Sequence, residues 1–223
     1  MTAILWWLLP LFIIWLIGVL AAGADWGGAH VNWLDGWTRI LCRTLHGLGK
    51  QRIELPEHGP AIVVANHVSG LDPMLLIAAS KRPIRFLIAR EEYQRFGLQW
   101  LFRAAGCIPV DRAGRPEKSL RQAHKALQQG EVIALFPHGK IHLDSDPPGK
   151  LKAGFARLAA WSTAPVYAVR IDGVAGQGKV LTAPLMPGKV VLMSSQPITI
   201  DADALTSGLE TVSQFIEKPA RVI

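Results

Sequence analysis

The two side chains best placed to do chemistry are His67 and Asp72, in the stretch Val63-Val64-Ala65-Asn66-His67-Val68-Ser69-Gly70-Leu71-Asp72-Pro73. An imidazole held by a carboxylate is a general base at neutral pH. Spacing alone is a weak signal: in 223 residues with 7 His, chance supplies about 0.3 such pairs, and His30-x4-Asp35 is a second one. Context separates the two. Ile62-Val63-Val64 is a β-branched run that reads as a buried strand, and Asp72-Pro73 reads as an N-cap followed by the first helical position. His67 and Asp72 are therefore expected at the two ends of one short loop at a strand's carboxyl end, where α/β sheets place their ligands. The His30 pair lies in a Trp-rich segment with no strand before it and no cap after it.

Further polar groups follow later strand-like runs. Gly106-Cys107-Ile108-Pro109-Val110-Asp111-Arg112 ends in a charged pair, and Arg112 has the fork geometry that suits a phosphate, or else an ion pair with Asp111. Phe136-Pro137-His138-Gly139-Lys140-Ile141-His142 brings three more polar side chains to a strand end, and Lys150 and Lys152 open a helix whose backbone N–H groups welcome an anion. A metal site at His138-x3-His142 with Asp144 and Asp146 is set aside, because proline, glycine and aspartate there argue for loop. Asp144-Ser145-Asp146 reads as solvated loop, since the rest of a calcium-loop pattern is missing. Gly173-x4-Gly178-Lys179 fails as a phosphate loop: Val180 replaces the required hydroxyl, and Pro184 and Pro187 forbid the helix that should follow.

The elements that must position these groups alternate. Strands are expected over 61–65, 84–89, 107–110, 132–136 and 166–171, with helices over 73–80, 90–104, 116–129, 151–162 and 205–217, and antiparallel pairing across 173–199. That alternation predicts an α/β fold, a mixed β-sheet flanked by helices. The helix at 90–104 carries Tyr93, Phe96, Trp100 and Leu101, which face either the core or an acyl chain and lipid.

Composition narrows the function classes. The net charge is +7 and half the residues are hydrophobic. The basic residues are dispersed, with no aromatic-studded basic strand, so nucleic acid is not an expected partner, whereas an anionic membrane surface is. Cys42 and Cys107 form no metal spacing and suit a reducing compartment. Residues 3–24 contain no charge and reach the ~20 residues a membrane segment needs. The absence of Lys or Arg before them argues against a cleaved signal peptide. Arg39, Arg43, Lys50 and Arg52 follow, so the positive-inside rule places the remainder on the cytoplasmic face of the cell (inner) membrane. Trp33, Trp37, Ile40, Leu41 and Leu45 then recur at helical spacing, with Asp35, Arg39 and Arg43 around the other side. This predicts an amphipathic helix lying in the interface, or one packed on the core. Residues 1–47 thus read as a hydrophobic and amphipathic helical membrane-docking module, and 48–223 as the α/β domain, with Gly59-Pro60 closing the connector.

Taken in order, Asn66-His67-x4-Asp72, Gly-x-Ile-Pro-Val-Asp-Arg at 106–112, Phe-Pro-x-Gly at 136–139, Leu-Lys-x-Gly at 151–154 and Ala-Pro-Val at 164–166 resemble the motif blocks of the glycerolipid acyltransferases, the PlsC-like 1-acylglycerol-3-phosphate acyltransferases among them. The resemblance implies the PlsC-like acyltransferase fold, with His67 as general base and Asp72 orienting it. It also implies an acceptor site built from Arg112, Pro137, His138, Gly139, Lys140 and Lys152. Its partners would be membrane lipids, a lysolipid acceptor, and acyl-CoA or acyl-carrier protein as co-substrate, with no cofactor and no metal. One block departs from the family pattern: His138 stands where Glu is usual and Ile141 where Arg is usual. The expected acceptor is 1-acylglycerol-3-phosphate; another lysophospholipid or a lyso-aminolipid is the alternative. A membrane lipid-binding protein without catalysis is the rival from another class, and a Gly-x-Ser-x-Gly hydrolase is disfavoured because that motif is absent.

Overall fold

The computed structural model describes residues 2–111, 116–147 and 149–217, apart from the side chains of residues 2–7 and of Ala29. A helical hairpin opens the chain, α1 (Thr2–Ala21) against α2 (Ala29–Thr44). The two cross closely because both carry glycine at the crossing: a Cβ on Gly36 would lie 1.8 Å from the Gly18 carbonyl oxygen. The Trp37 indole N–H donates to the Ile14 carbonyl at 3.0 Å, fixing the antiparallel register. Gly36→Leu is therefore expected to force the helices apart at a cost of about 1–3 kcal/mol. The check is a Tm lower by on the order of 5 °C in a thermal melt; an unchanged Tm would contradict the crossing.

α2 is not a free interfacial helix. Its other side packs on α3 (Asp72–Ala79), and Cys42 joins the main core. Asp35 and Arg39, expected on a polar face, are buried at 4 % exposure each and pair at 2.6 Å. The carboxylate also accepts from the Gly23 amide at 2.7 Å, while the guanidinium donates to the carbonyls of Ala78 (3.1 Å) and Ser80 (2.7 Å). With neighbours on both sides of the helix, an i,i+4 ion pair can be buried because every donor and acceptor finds a partner. The element left exposed is α1, which shows a run of large apolar side chains from Leu8 to Leu20. The expected membrane segment over 3–24 falls partly on side chains outside those described. Among the described residues no helix is long and apolar enough to cross a membrane.

The rest is a three-layer α/β arrangement. After β1 (Ala61–Ala65) and α3 come β2 (Ile84–Ala89), the short α4 (Arg90–Tyr93) and α5 (Gln99–Ala104), and β3 (Ile108–Val110). Then follow α6 (Pro116–Gln128), β4 (Val132–Leu135), α7 (Gly154–Ser162), β5 (Val166–Asp172), β6 (Val191–Ser194) and α8 (Leu205–Glu217). The sheet order is β3-β2-β4-β1-β5-β6, parallel throughout except for β6, which runs antiparallel to β5. β1 is central and wholly buried, as a strand covered on both faces must be. Its alternate residues feed two cores. Ala61, Val63 and Ala65 join Leu75, Leu76 and Tyr167 on one face, and Ile62 and Val64 join Leu127, Phe155 and Val212 on the other.

Two expectations need correction here. The helix expected over 90–104 is two short pieces: the first ends at Tyr93 with Gln94 as its cap, and the turn that separates it from the second holds Gly97 at a left-handed φ of 81°. Tyr93 and Phe102 stack and pack on the core, whereas Phe96 is fully exposed and Trp100 largely so. The antiparallel pairing expected across 173–199 reduces to β6 and one bridge between Val166 and Ile198. Residues 173–190 form a folded loop with a 3-10 turn at Ala183–Leu185.

Candidate active site

β1 and β4 are parallel neighbours in the register Val64↔Leu135, so both chains leave the sheet at one level. The loop carrying His67 and the loop carrying Phe136 to His142 are brought together by that register. His67 Nδ1 lies 2.8 Å from Asp72 Oδ2. A carboxylate only accepts, so the proton sits on Nδ1 and Nε2 presents its lone pair. The same Oδ2 accepts from the Val68 and Ser69 amides at 2.6 and 2.8 Å, and Oδ1 accepts from the Ser69 hydroxyl at 2.8 Å. Asp72 is fully buried, while the His67 side chain keeps 19 % exposure.

Asp72 was expected to cap α3. It is instead the first helical residue, with Leu71 at the cap position and no side-chain capping bond. Its carboxylate turns back over the loop, where it organises two amides, a hydroxyl and the imidazole.

The loop is held on its other sides by residues to which sequence reading gave no role. The Phe136 ring stacks on the His67 imidazole at 4.1 Å and 18°. The His67 carbonyl accepts from the His142 amide at 2.7 Å, and the Val68 carbonyl from the Gly178 amide at 2.8 Å. Gly70 donates to the Lys179 carbonyl at 2.9 Å, and a Cβ on Gly70 would meet the Val180 carbonyl oxygen at 2.0 Å. The 173–190 loop thus closes over the His67 turn. Asn66 bridges β1 to β5 with two bonds to the Ile171 backbone, at 2.9 and 2.7 Å. No local signal in the sequence marks these contacts, because each partner lies far along the chain from the His67 turn.

The third block reads differently from expectation. Pro137 and Gly139 form a turn, and the Lys152 amide donates to the Pro137 carbonyl at 3.0 Å, joining the third and fourth blocks. Gly139 has a φ of 74°, and its missing Cβ leaves room for the Lys152 ammonium 2.7 Å from where that atom would be. Lys140 and Lys152 are exposed. The His138 side chain is only 5 % exposed and stacks on His142 at 4.2 Å, and neither of its ring nitrogens has a hydrogen-bond partner. Glu217 at the end of α8 stands 3.7 Å from His138 Nε2, and Asp146 stands 3.7 Å from His142 Nδ1. Asp144 is not simply solvated: it pairs with buried Arg170, whose guanidinium also reaches Asp172 at 2.6 Å and the Ile216 carbonyl at 2.6 Å. Among the described residues no three metal-ligating side chains gather. Arg112 lies outside the described residues; the Asp111 before it follows β3, the edge strand of the sheet, and faces Arg90 at 3.6 Å.

Burial above all, and then neighbouring His142, lower the His138 pKa below its ordinary value of 6.5, with Glu217 acting in the opposite sense. A histidine whose folded pKa is depressed binds fewer protons folded than unfolded. Stability therefore falls as pH drops through the unfolded value near 6.5 and is complete above it. His138→Phe should flatten that slope. Tm values of the two proteins between about pH 5 and 7 check it, and equal slopes would contradict the burial of a neutral imidazole.

Comparison with known proteins places these features in a family. Residues 49–172 match the family model described as Acyltransferase. The chain is 30% identical over 184 residues to a probable 1-acyl-sn-glycerol-3-phosphate acyltransferase of Mycoplasma pneumoniae, covering 75% of this chain and 68% of the relative. It is 32% identical over 117 residues to an N-acylphosphatidylethanolamine synthase of Arabidopsis thaliana, covering 48% of this chain and 41% of the relative. The crystal structure of the 1-acyl-sn-glycerophosphate (LPA) acyltransferase PlsC from Thermotoga maritima superposes with a TM-score of 0.63 at 23% identity, over 82% of this chain and 78% of that one.

Proposed function

This chain belongs to the acyltransferase family and is an O-acyltransferase, and on that premise we propose that it moves a fatty acyl group from acyl-CoA or acyl-carrier protein to a lysolipid hydroxyl, 1-acylglycerol-3-phosphate foremost, with His67 as base. The observation that carries the reading is the 2.8 Å contact of His67 Nδ1 with a carboxylate already fixed by two amides and a hydroxyl. Such a carboxylate holds one tautomer and stabilises the imidazolium once formed. His67 Nε2 takes the proton of the acceptor hydroxyl as its oxygen attacks the thioester carbonyl. An ester C–O bond forms and the C–S bond breaks. The proton passes from the imidazolium to the departing thiolate, so no acyl-enzyme is required. Gly139 and Pro137, with Lys140 and Lys152, would shape the acceptor's headgroup site, and Arg112 would hold its phosphate.

A second acceptor class is favoured by one observation: His138, where the family pattern has Glu, is a buried imidazole kept neutral by its surroundings and facing Glu217. The neutral imidazole adds no positive charge there, and Ile141 stands where the family pattern has Arg, which suits a lysophospholipid or lyso-aminolipid headgroup better than a phosphate monoester. Purified protein in detergent, given labelled acyl-CoA and each lysolipid in turn, tests both. Preferred labelling of lysophosphatidic acid supports the first acceptor. Labelling of another lysolipid alone would replace it with the second.

A further inference from the structure

Away from the His67 loop, cationic side chains converge where the hairpin meets the end of α3. Arg39, Arg43, Arg52 and Lys81, with Ala21 and Ser80, line a cavity of about 310 Å3. Arg39 is answered by Asp35 and by two carbonyls. Among the described residues no ion pair joins Arg43, Arg52 or Lys81 to a carboxylate. Arg43 is exposed at its outer side, but partial desolvation first, and then the Arg39 and Arg52 charges beside it, push its guanidinium below its ordinary pKa, against the opposing pull of Asp35. A bound anion would relieve that crowding of like charges.

The cavity also has an apolar approach. Ala21 on its wall follows Leu20, which is 76% exposed at the end of the exposed apolar run on α1. Guanidinium groups at the end of an apolar ridge match the two halves of a phospholipid.

We propose that this cavity binds the phosphate of an anionic phospholipid whose acyl chains lie along α1. The site needs no residue of the His67 loop, so it stands or falls apart from the acyl-transfer reading. The same chemistry would suit free phosphate, and the continuity with the α1 ridge assigns the lipid.

The test is flotation of the full chain with vesicles of phosphatidylcholine alone or with one-third phosphatidylglycerol. Wild type should prefer the anionic vesicles, and Arg43→Gln/Arg52→Gln should weaken that preference by about 10-fold or more while still binding phosphatidylcholine vesicles as wild type does. Arg43→Lys/Arg52→Lys should retain most of the preference, which separates lost charge from lost fold. Lys118→Gln/Lys125→Gln, removing two exposed charges on α6, should change little. Equal losses from the α6 pair and the cavity pair, or no loss from either, would overturn the proposal in favour of diffuse attraction. If inorganic phosphate raises the wild-type Tm but the Gln pair keeps the wild-type vesicle preference, the cavity is a phosphate site and the lipid assignment is wrong.

Discussion

His67→Ala is expected to lower kcat for acyl transfer by about 10³-fold or more, with little change in the KM for the acceptor. The imidazole is where the acceptor proton must go, and the described residues within that loop supply no second base: Asp72 is fully buried, and both of its oxygens already accept hydrogen bonds. Removing the ring exposes Phe136, on which it stacks, but leaves the backbone bonds of the loop in place. The variant should therefore melt close to wild type. Steady-state rates with a thiol-release readout, alongside a thermal melt, check both halves. Turnover within a few-fold of wild type in a folded variant would remove His67 as the base.

The second large effect belongs to Asp72, and it is twofold. Asp72→Asn keeps the shape but not the charge. Its amide can no longer accept from His67 Nδ1–H and both amides at once, so the imidazole loses its fixed tautomer, and kcat should fall by about 10³–10⁴-fold. Asp72→Ala goes further. The Val68 and Ser69 amides and the Ser69 hydroxyl would all lose their acceptor in a buried turn. Each unsatisfied group costs about 1–3 kcal/mol, so this variant should also unfold at markedly lower temperature. The separation is the informative part. Asn is expected to damage turnover more than stability, and Ala to damage both. If Asn proved catalytically neutral, the carboxylate would be a purely structural clasp.

The central strand and the pair it presents were legible from residue types. A β-branched run buried on both faces, ending at Asn66-His67 and followed by Asp72-Pro73, marks a strand–loop–helix without reference to anything distant. The alternation of the other strands with helices marked the α/β class, a mixed sheet flanked by helices. What escaped depends on partners far along the chain. Asp35 and Arg39 carry the spacing of a solvated i,i+4 pair, and nothing local says that α3 will cover them. Gly70 carries no local signal and Gly178 reads as part of an antiparallel pairing, yet they are where the 173–190 loop approaches the His67 turn too closely for a side chain or with a left-handed φ. Phe136 looked like an ordinary motif aromatic, and only the β1–β4 register shows that it lies against the base. The break at Gly97 was signalled by its residue type but was outweighed by the aromatic periodicity around it.

Direct transfer to a lysolipid hydroxyl leaves no acyl group on the protein, and a single-turnover experiment tests that most directly. Purified protein would be mixed with an acyl-labelled thioester donor, with and without lysophosphatidic acid or another lysolipid, and the label followed on lipid and on protein while free thiol is counted. The prediction is one ester formed per thiol released, only when acceptor is present, with no label on the protein at any time. Label accumulating on the chain before the lipid, or no labelled lipid from any acceptor with either donor while the protein remains folded, would contradict it.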